Sequence, residues 1–197
     1  LAVVFNLFGA MAGVSVATTI GTGLVDTQFV TLYTLVSALL GAIIWNLVTW
    51  WAGIPSSSSH ALIGGLCGAT LASAHGSWAV IRWSVLNPKT NAMEGIWHKV
   101  IIPMVASPFL GFFCGMVFMG LLLVCLHRIT PRLINRVFGK LQLVSSAWIA
   151  FSHGTNDAQK TMGVIALILF TATANGALDR LPECLHFIST PNFEVAI

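Results

Sequence analysis

The chain has 197 residues, of which 56% are hydrophobic and only 8% charged. Soluble domains carry roughly 25% charged residues, so this composition, with a mean hydropathy of +0.88, argues against a water-soluble globule and for an all-α, polytopic membrane protein. The formal charge of +3 is small and dispersed, which gives no footing to a nucleic-acid partner.

Apolar runs of about twenty residues recur, the length that crosses a hydrocarbon core of about 30 Å. Residues 1–25 read as a first span, with Gly9, Ala10, Ala12, Gly13, Ser15 and Ala17 available for close helix contact. Opening on Leu1 inside an apolar run, without a basic leader, this segment is expected to be part of a longer chain and not a signal peptide. Residues 28–51 form a second span, with Trp45, Trp50 and Trp51 as interfacial anchors at its exit. Residues 55–74 form a third apolar segment, opened by Pro-Ser-Ser-Ser-Ser-His, and a polar stretch follows at 75–99. Residues 100–126 are a charge-free span containing Pro103 and Pro108.

Next comes 127–140, with Arg128, Arg132, Arg136 and Lys140 and no acid, which the positive-inside rule places in the cytoplasm. Residues 141–174 resume the apolar pattern with an interruption at 152–163, and 175–197 form a more polar tail. Cys67, Cys114, Cys125 and Cys184 show no metal-ligand spacing and imply no disulfide framework. The first three sit in apolar runs and read as small buried hydrophobes.

Two polar stretches carry chemistry. The first is "GIPSSSSHALIGGLCGA", in a region (27–81) without a single Asp, Glu, Lys or Arg. Pro55 disfavours helix at Ile54 and tolerates a first helical turn, while serine is a preferred N-cap. A helix starting here within the membrane leaves orphan N–H groups and the positive end of its dipole to be satisfied. Oxyanions fill that role, and the serine hydroxyls add donors without adding charge. The alternative is that the serines only cap the helix and pack small against a neighbour.

The second stretch is "SHGTNDAQK", 152–160. Asp157 is the only acid between Glu94 and Asp179, and its flanks, 141–151 and 161–172, are each too short to span alone. An ionisable residue in that position is costly unless functional, and a broken helix explains the arithmetic. Carboxylate, amide and freed carbonyl oxygens at Asp157, Asn156, Gln159 and Gly154 are hard ligands for small cations. Asp157 and Lys160, three apart, can pair along one helical face; a structural ion pair is the rival reading. His60 and His153, inside the two stretches, are candidates to donate to an anion or to exchange a proton near neutral pH.

At these stretches the chain resembles the PiT family of inorganic phosphate transporters, through "WNLVTWWAGIPSSSSHALIGGLCGA" (45–69) and "AFSHGTNDAQKTMGVIALIL" (150–169). The resemblance implies an inverted-repeat transporter with re-entrant and broken helices. Residues 1–126 then form the C-terminal part of a first repeat (spans at about 1–25, 28–51 and 100–126, re-entrant 55–74). Residues 127–140 are the cytoplasmic connector, and 141–197 start a second repeat with a broken helix over 141–174. It also implies that Ser57, Ser58, Ser59, Asn156 and Asp157 bind phosphate, with Ser56, His60, His153 and Thr155 as accessory candidates. Asp157, Asn156, Gln159 and Lys160 serve cation coupling. The first repeat's own Asn-Asp motif is expected before Leu1 and the second serine hairpin after Ile197.

Many relatives have Asn where this chain has Lys160, and "NDAQK" is similar to the bacterial proton-coupled branch. The expectation is therefore a phosphate symporter of the bacterial inner membrane working by alternating access. Protons are favoured as the coupling ion and sodium is the alternative; Lys160 takes the place of one bound cation. No cofactor or resident metal is expected, phosphate being carried free or as a divalent-metal complex. The partners are inorganic phosphate, the lipid bilayer and a candidate homo-oligomer. The rivals are an anion channel or receptor of the same fold and an intramembrane serine hydrolase. Against the last, no Gly-x-Ser-x-Gly turn is present and four serines in a row single out no nucleophile.

Overall fold

The computed structural model describes residues 1–13, 17, 19–87, 91–179 and 182–190. Among them are six α-helices: α1 (Ala2–Met11), α2 (Leu32–Trp51), α3 (Ser58–Ser73), α4 (Ile102–Leu126), α5 (Pro131–His153) and α6 (Gln159–Ala174). The chain packs as two units, one of Leu1–Gly13 with Trp97–Ala158 and one of Val14–Ile96 with Gln159–Ile197.

Two helices have the length and hydropathy to cross a membrane, Leu32–Trp51 and Trp97–Leu126. The first starts on a reciprocal Thr31–Thr34 capping box, which satisfies orphan amides at the helix entry. The second enters through a π-helical turn, Trp97–Ile101, and runs on as α4, which at 1.5 Å per residue is about 37 Å long. None of the α4 side chains is buried. Phe109, Phe112 and Phe118 are each more than half exposed, a surface that suits lipid or protein and not water.

Three features differ from the sequence reading. The first apolar run is not one continuous α-helix: α1 ends at Met11, and Thr19–Gly23 form a π-helical turn, where Thr and Gly are weak helix formers. Cys114 and Cys125 are exposed, because α4 has no packed face within the described chain. Part of the basic stretch is helical: α5 begins at Pro131, which suits a first helical position, so Arg132, Arg136 and Lys140, four apart, share one helix face.

In the first unit α1 packs on α5 and on a π-helical turn at Gly154–Ala158. Phe5, Leu143, Val144, Ala147 and Phe151 line an apolar cleft of about 450 Å³ between α1 and α5.

In the second unit α3 lies against α2, tied by a Thr34–Ser73 hydroxyl bond of 2.7 Å. Where α2, α3 and α6 meet, Leu35, Ala38, Leu62, Leu66, Val164 and Leu167 close around a void of about 10 Å³, at the lower limit for one water. Short β pairings complete this unit. Asp26 N–H donates to the Val80 carbonyl at 2.8 Å, and Arg82 N–H to the Leu24 carbonyl at 3.0 Å. Strands β1 (Val85–Asn87) and β2 (Ala92–Glu94) pair antiparallel, with Leu86 opposite Met93. Strands of three residues are too short to show a period, so the polar stretch 75–99 carries no sign of them.

The α2–α3 contact depends on Gly65. A Cβ there would fall against the Ala38 carbonyl oxygen, whereas one on Gly64 would meet open space. Gly65→Ala is expected to destabilise the full-length protein by about 1–3 kcal/mol through overpacking, and Gly64→Ala to leave stability essentially unchanged. Thermal unfolding in detergent compares the two; equal losses would remove the packing argument.

Candidate functional site

The serine turn belongs to the second unit. Ser57 is the N-cap of α3, with an extended backbone (φ −97°, ψ 116°), and its Oγ accepts from the His60 N–H at 3.4 Å. The amides of Ser58 and Ser59 therefore precede the i→i−4 ladder and point out along the helix axis. Ser56, Ser57, Ser58 and His60 are exposed, and Ser59 is half-buried. Lys160, in the first turn of α6, donates from Nζ to Ser59 Oγ at 2.5 Å across 101 residues of sequence. The result is a helix start rich in donors, with an ammonium resting on one of its hydroxyls.

The Asn-Asp turn belongs to the first unit. It is the π-helical turn Gly154–Ala158, which interrupts the path from α5 to α6 by widening one turn. Gly154 is buried because the backbone of Asn6 in α1 runs directly against its Cα. Thr155 Oγ1 donates to the Phe151 carbonyl and Asn156 Nδ2 to the Ser152 carbonyl, each at 2.8 Å. Thr155 thereby spends its single donor, whereas Asn156 keeps a second N–H and its Oδ1 acceptor. Asp157 Oδ2 lies 3.0 Å from His153 Nδ1, one helical turn earlier. Gln159, at the head of α6, is fully buried. Among the described residues, no group of three His, Cys, Asp or Glu side chains is placed to hold a metal ion.

The structure thus brings Ser57, Ser58, Ser59, His60 and Lys160 together in one unit, and His153, Thr155, Asn156 and Asp157 together in the other. The Ser59–Lys160 bond and the Asn6–Gly154 contact are absent from the sequence reading. Neither has a local signal, since each joins segments far apart in the chain.

Two apolar helices of membrane length, with polar groups set inside otherwise apolar segments, fit the class of membrane proteins. More narrowly, the chain belongs to the phosphate transporter family, whose model matches residues 1–134 and 126–189. It is 42% identical over 189 residues to a probable low-affinity inorganic phosphate transporter of Mycobacterium bovis, covering 96% of this chain and 42% of that protein. The probable low-affinity inorganic phosphate transporter of Bacillus subtilis is 37% identical over 194 residues, covering 95% of this chain and 53% of the relative. The low-affinity inorganic phosphate transporter PitA of Escherichia coli is 32% identical over 205 residues, covering 89% of this chain and 39% of the relative. The chain therefore spans about half, or less, of the length of these relatives. All three carry transporter names and none an enzyme name. No solved structure shows significant similarity to the chain.

Proposed function

We propose that the full-length protein is a cation-coupled inorganic phosphate symporter of the bacterial inner membrane. The observation that carries this reading is the sorting of polar groups. Donors converge at the start of α3, where Ser57 caps the helix and Lys160 bonds Ser59. Acceptor oxygens gather at the 154–158 turn, where the Thr155 hydroxyl and one Asn156 N–H are spent on helix carbonyls near the Asp157 carboxylate. A desolvated oxyanion needs the first set and its co-transported cation the second.

In this mechanism Ser57, Ser58 and Ser59 replace phosphate's water, with Ser56 and His60 at the margin of the anion site. Asn156 and Asp157, with Thr155 and Gln159 beside them, offset its charge through the coupling cation. Protons are the favoured ion: His153 Nδ1 lies 3.0 Å from the Asp157 carboxylate, and the fixed charge of Lys160 takes the place of one bound cation. The connector 127–140 is cytoplasmic, and two inverted repeats rock about the central site to give alternating access.

Phosphate uptake into proteoliposomes under an imposed pH gradient tests this reading. Ser58→Ala is expected to raise the KM for phosphate about tenfold, the scale of one hydrogen bond to a charged group. Uptake that needs a sodium gradient and ignores pH would overturn proton coupling. Passive equilibration, without accumulation against a phosphate gradient, would make the protein a channel.

A further inference from the structure

The bond between Lys160 and Ser59 constrains hydrogen direction at the serine turn. A lysine ammonium has three donors and no acceptor, whereas a serine hydroxyl has one donor and two lone pairs. In the contact between Lys160 Nζ and Ser59 Oγ, the serine oxygen must therefore accept. Its own hydrogen has to leave in another direction. Unassisted, a serine hydroxyl is as ready to accept as to donate; with a lone pair occupied by an ammonium it is set to donate, and the positive charge polarises its O–H.

From this we infer that Lys160 is a positioning residue for the transported anion. It fixes Ser59 as a charge-assisted donor and so biases the turn toward ligands that present unprotonated oxygens. The inference rests on the phosphate reading and adds to it a role in anion recognition for a residue placed there only in cation coupling. Two features of the fold support a built arrangement. Ser59 is half-buried in the first turn of α3, behind the Ser57 cap, while its neighbour Ser58 is exposed. Lys160 is delivered where α6 meets α2 and α3, with Val164, Leu167, Leu62 and Leu66 closing around a void that holds at most one water.

The test uses the full-length protein in proteoliposomes. Lys160→Met keeps the side chain's length and removes charge and donor. It is expected to raise the half-saturating phosphate concentration about ten- to a hundredfold in phosphate exchange without an imposed cation gradient, where the coupling role of Lys160 is not read. Lys160→Arg, which keeps both charge and donor, is expected to stay within about threefold of the natural protein. Because the effect runs through one hydroxyl, Lys160→Met is expected to add less than about twofold in a Ser59→Ala background.

A natural half-saturating concentration in Lys160→Met overturns the inference, as does full additivity of the two substitutions. Should the methionine variant fail to fold, Lys160→Gln, which also lacks the charge, is read in its place and by the same criterion. Failure of the natural protein itself to take up phosphate would strike the phosphate reading instead, so the two failures are distinguishable.

Discussion

Asp157→Asn in the full-length protein is expected to reduce gradient-driven phosphate uptake at least about a hundredfold, while leaving expression and thermal stability close to natural. The substitution preserves shape, and an amide oxygen can still meet His153 Nδ1, 3.0 Å from Asp157 Oδ2 in the natural protein. What it removes is charge: the only carboxylate between Glu94 and Asp179. Replacing one carboxylate oxygen by an NH₂ group puts a donor where the proposed coupling cation would be held. A hydrogen bond to a charged group is worth about 1.5–3 kcal/mol, and loss of the charge itself adds to that, so a hundredfold fall, about 2.7 kcal/mol, lies within range. Initial rates at matched protein levels measure it. Undiminished uptake would take Asp157 out of the coupling machinery and leave the serine turn to account for transport unaided.

What the sequence disclosed followed the physics of the local chain. Pro55 followed by serines marks a helix start on backbone and capping grounds alone, and α3 begins at Ser58 with Ser57 as its cap. The charge-free runs 28–51 and 100–126 announced the membrane-length helices Leu32–Trp51 and Trp97–Leu126, since length and hydropathy are additive properties of a segment. The fold of 75–99 was hidden, because β1 and β2 are held by their mutual register and Ile81 by a bridge to Val25, not by any pattern of their own. At the site, the residue types were legible and their partners were not. Spacing offers Lys160 a partner in Asp157, three residues away; the fold also carries its ammonium onto Ser59, which only the packing of α6 against α3 brings within reach. Hydrogen-bond direction was hidden for the same reason: nothing in "GTND" says that Thr155 and Asn156 each turn a donor onto the carbonyls of Phe151 and Ser152.

Gly154 shows how a residue noted for one reason acts for another, and it carries the second large prediction. In the sequence it reads as a weak point that loosens the helix before Asn156 and Asp157. In the fold it is a contact: a Cβ there would overlap the carbonyl oxygen of Asn6 and lie 2.8 Å from its carbonyl carbon and Cα. Gly9 makes the reciprocal approach, with a Cβ falling against the Phe151 carbonyl oxygen and 2.9 Å from the Thr155 amide nitrogen. The atoms in the way are backbone, so no rotamer change relieves them. Gly154→Ala is therefore expected to push α1 off the turn and cost about 3 kcal/mol, the upper part of the overpacking range, out of a total stability of about 5–15 kcal/mol.

Gly111→Ala, in exposed α4 with open space around it, is the control and is expected to be silent. Because Gly9 and Gly154 guard the same contact, the double alanine variant is expected to lose distinctly less than the sum of the two single losses. Thermal unfolding in detergent and phosphate uptake are to be read on the same preparations. Stability and uptake falling together mean that α1 holds the 154–158 turn in shape. A Gly154→Ala protein with natural stability but no uptake would mean the reverse: the glycine would be there to let the turn move, and close packing of α1 on Gly154 would no longer explain its presence.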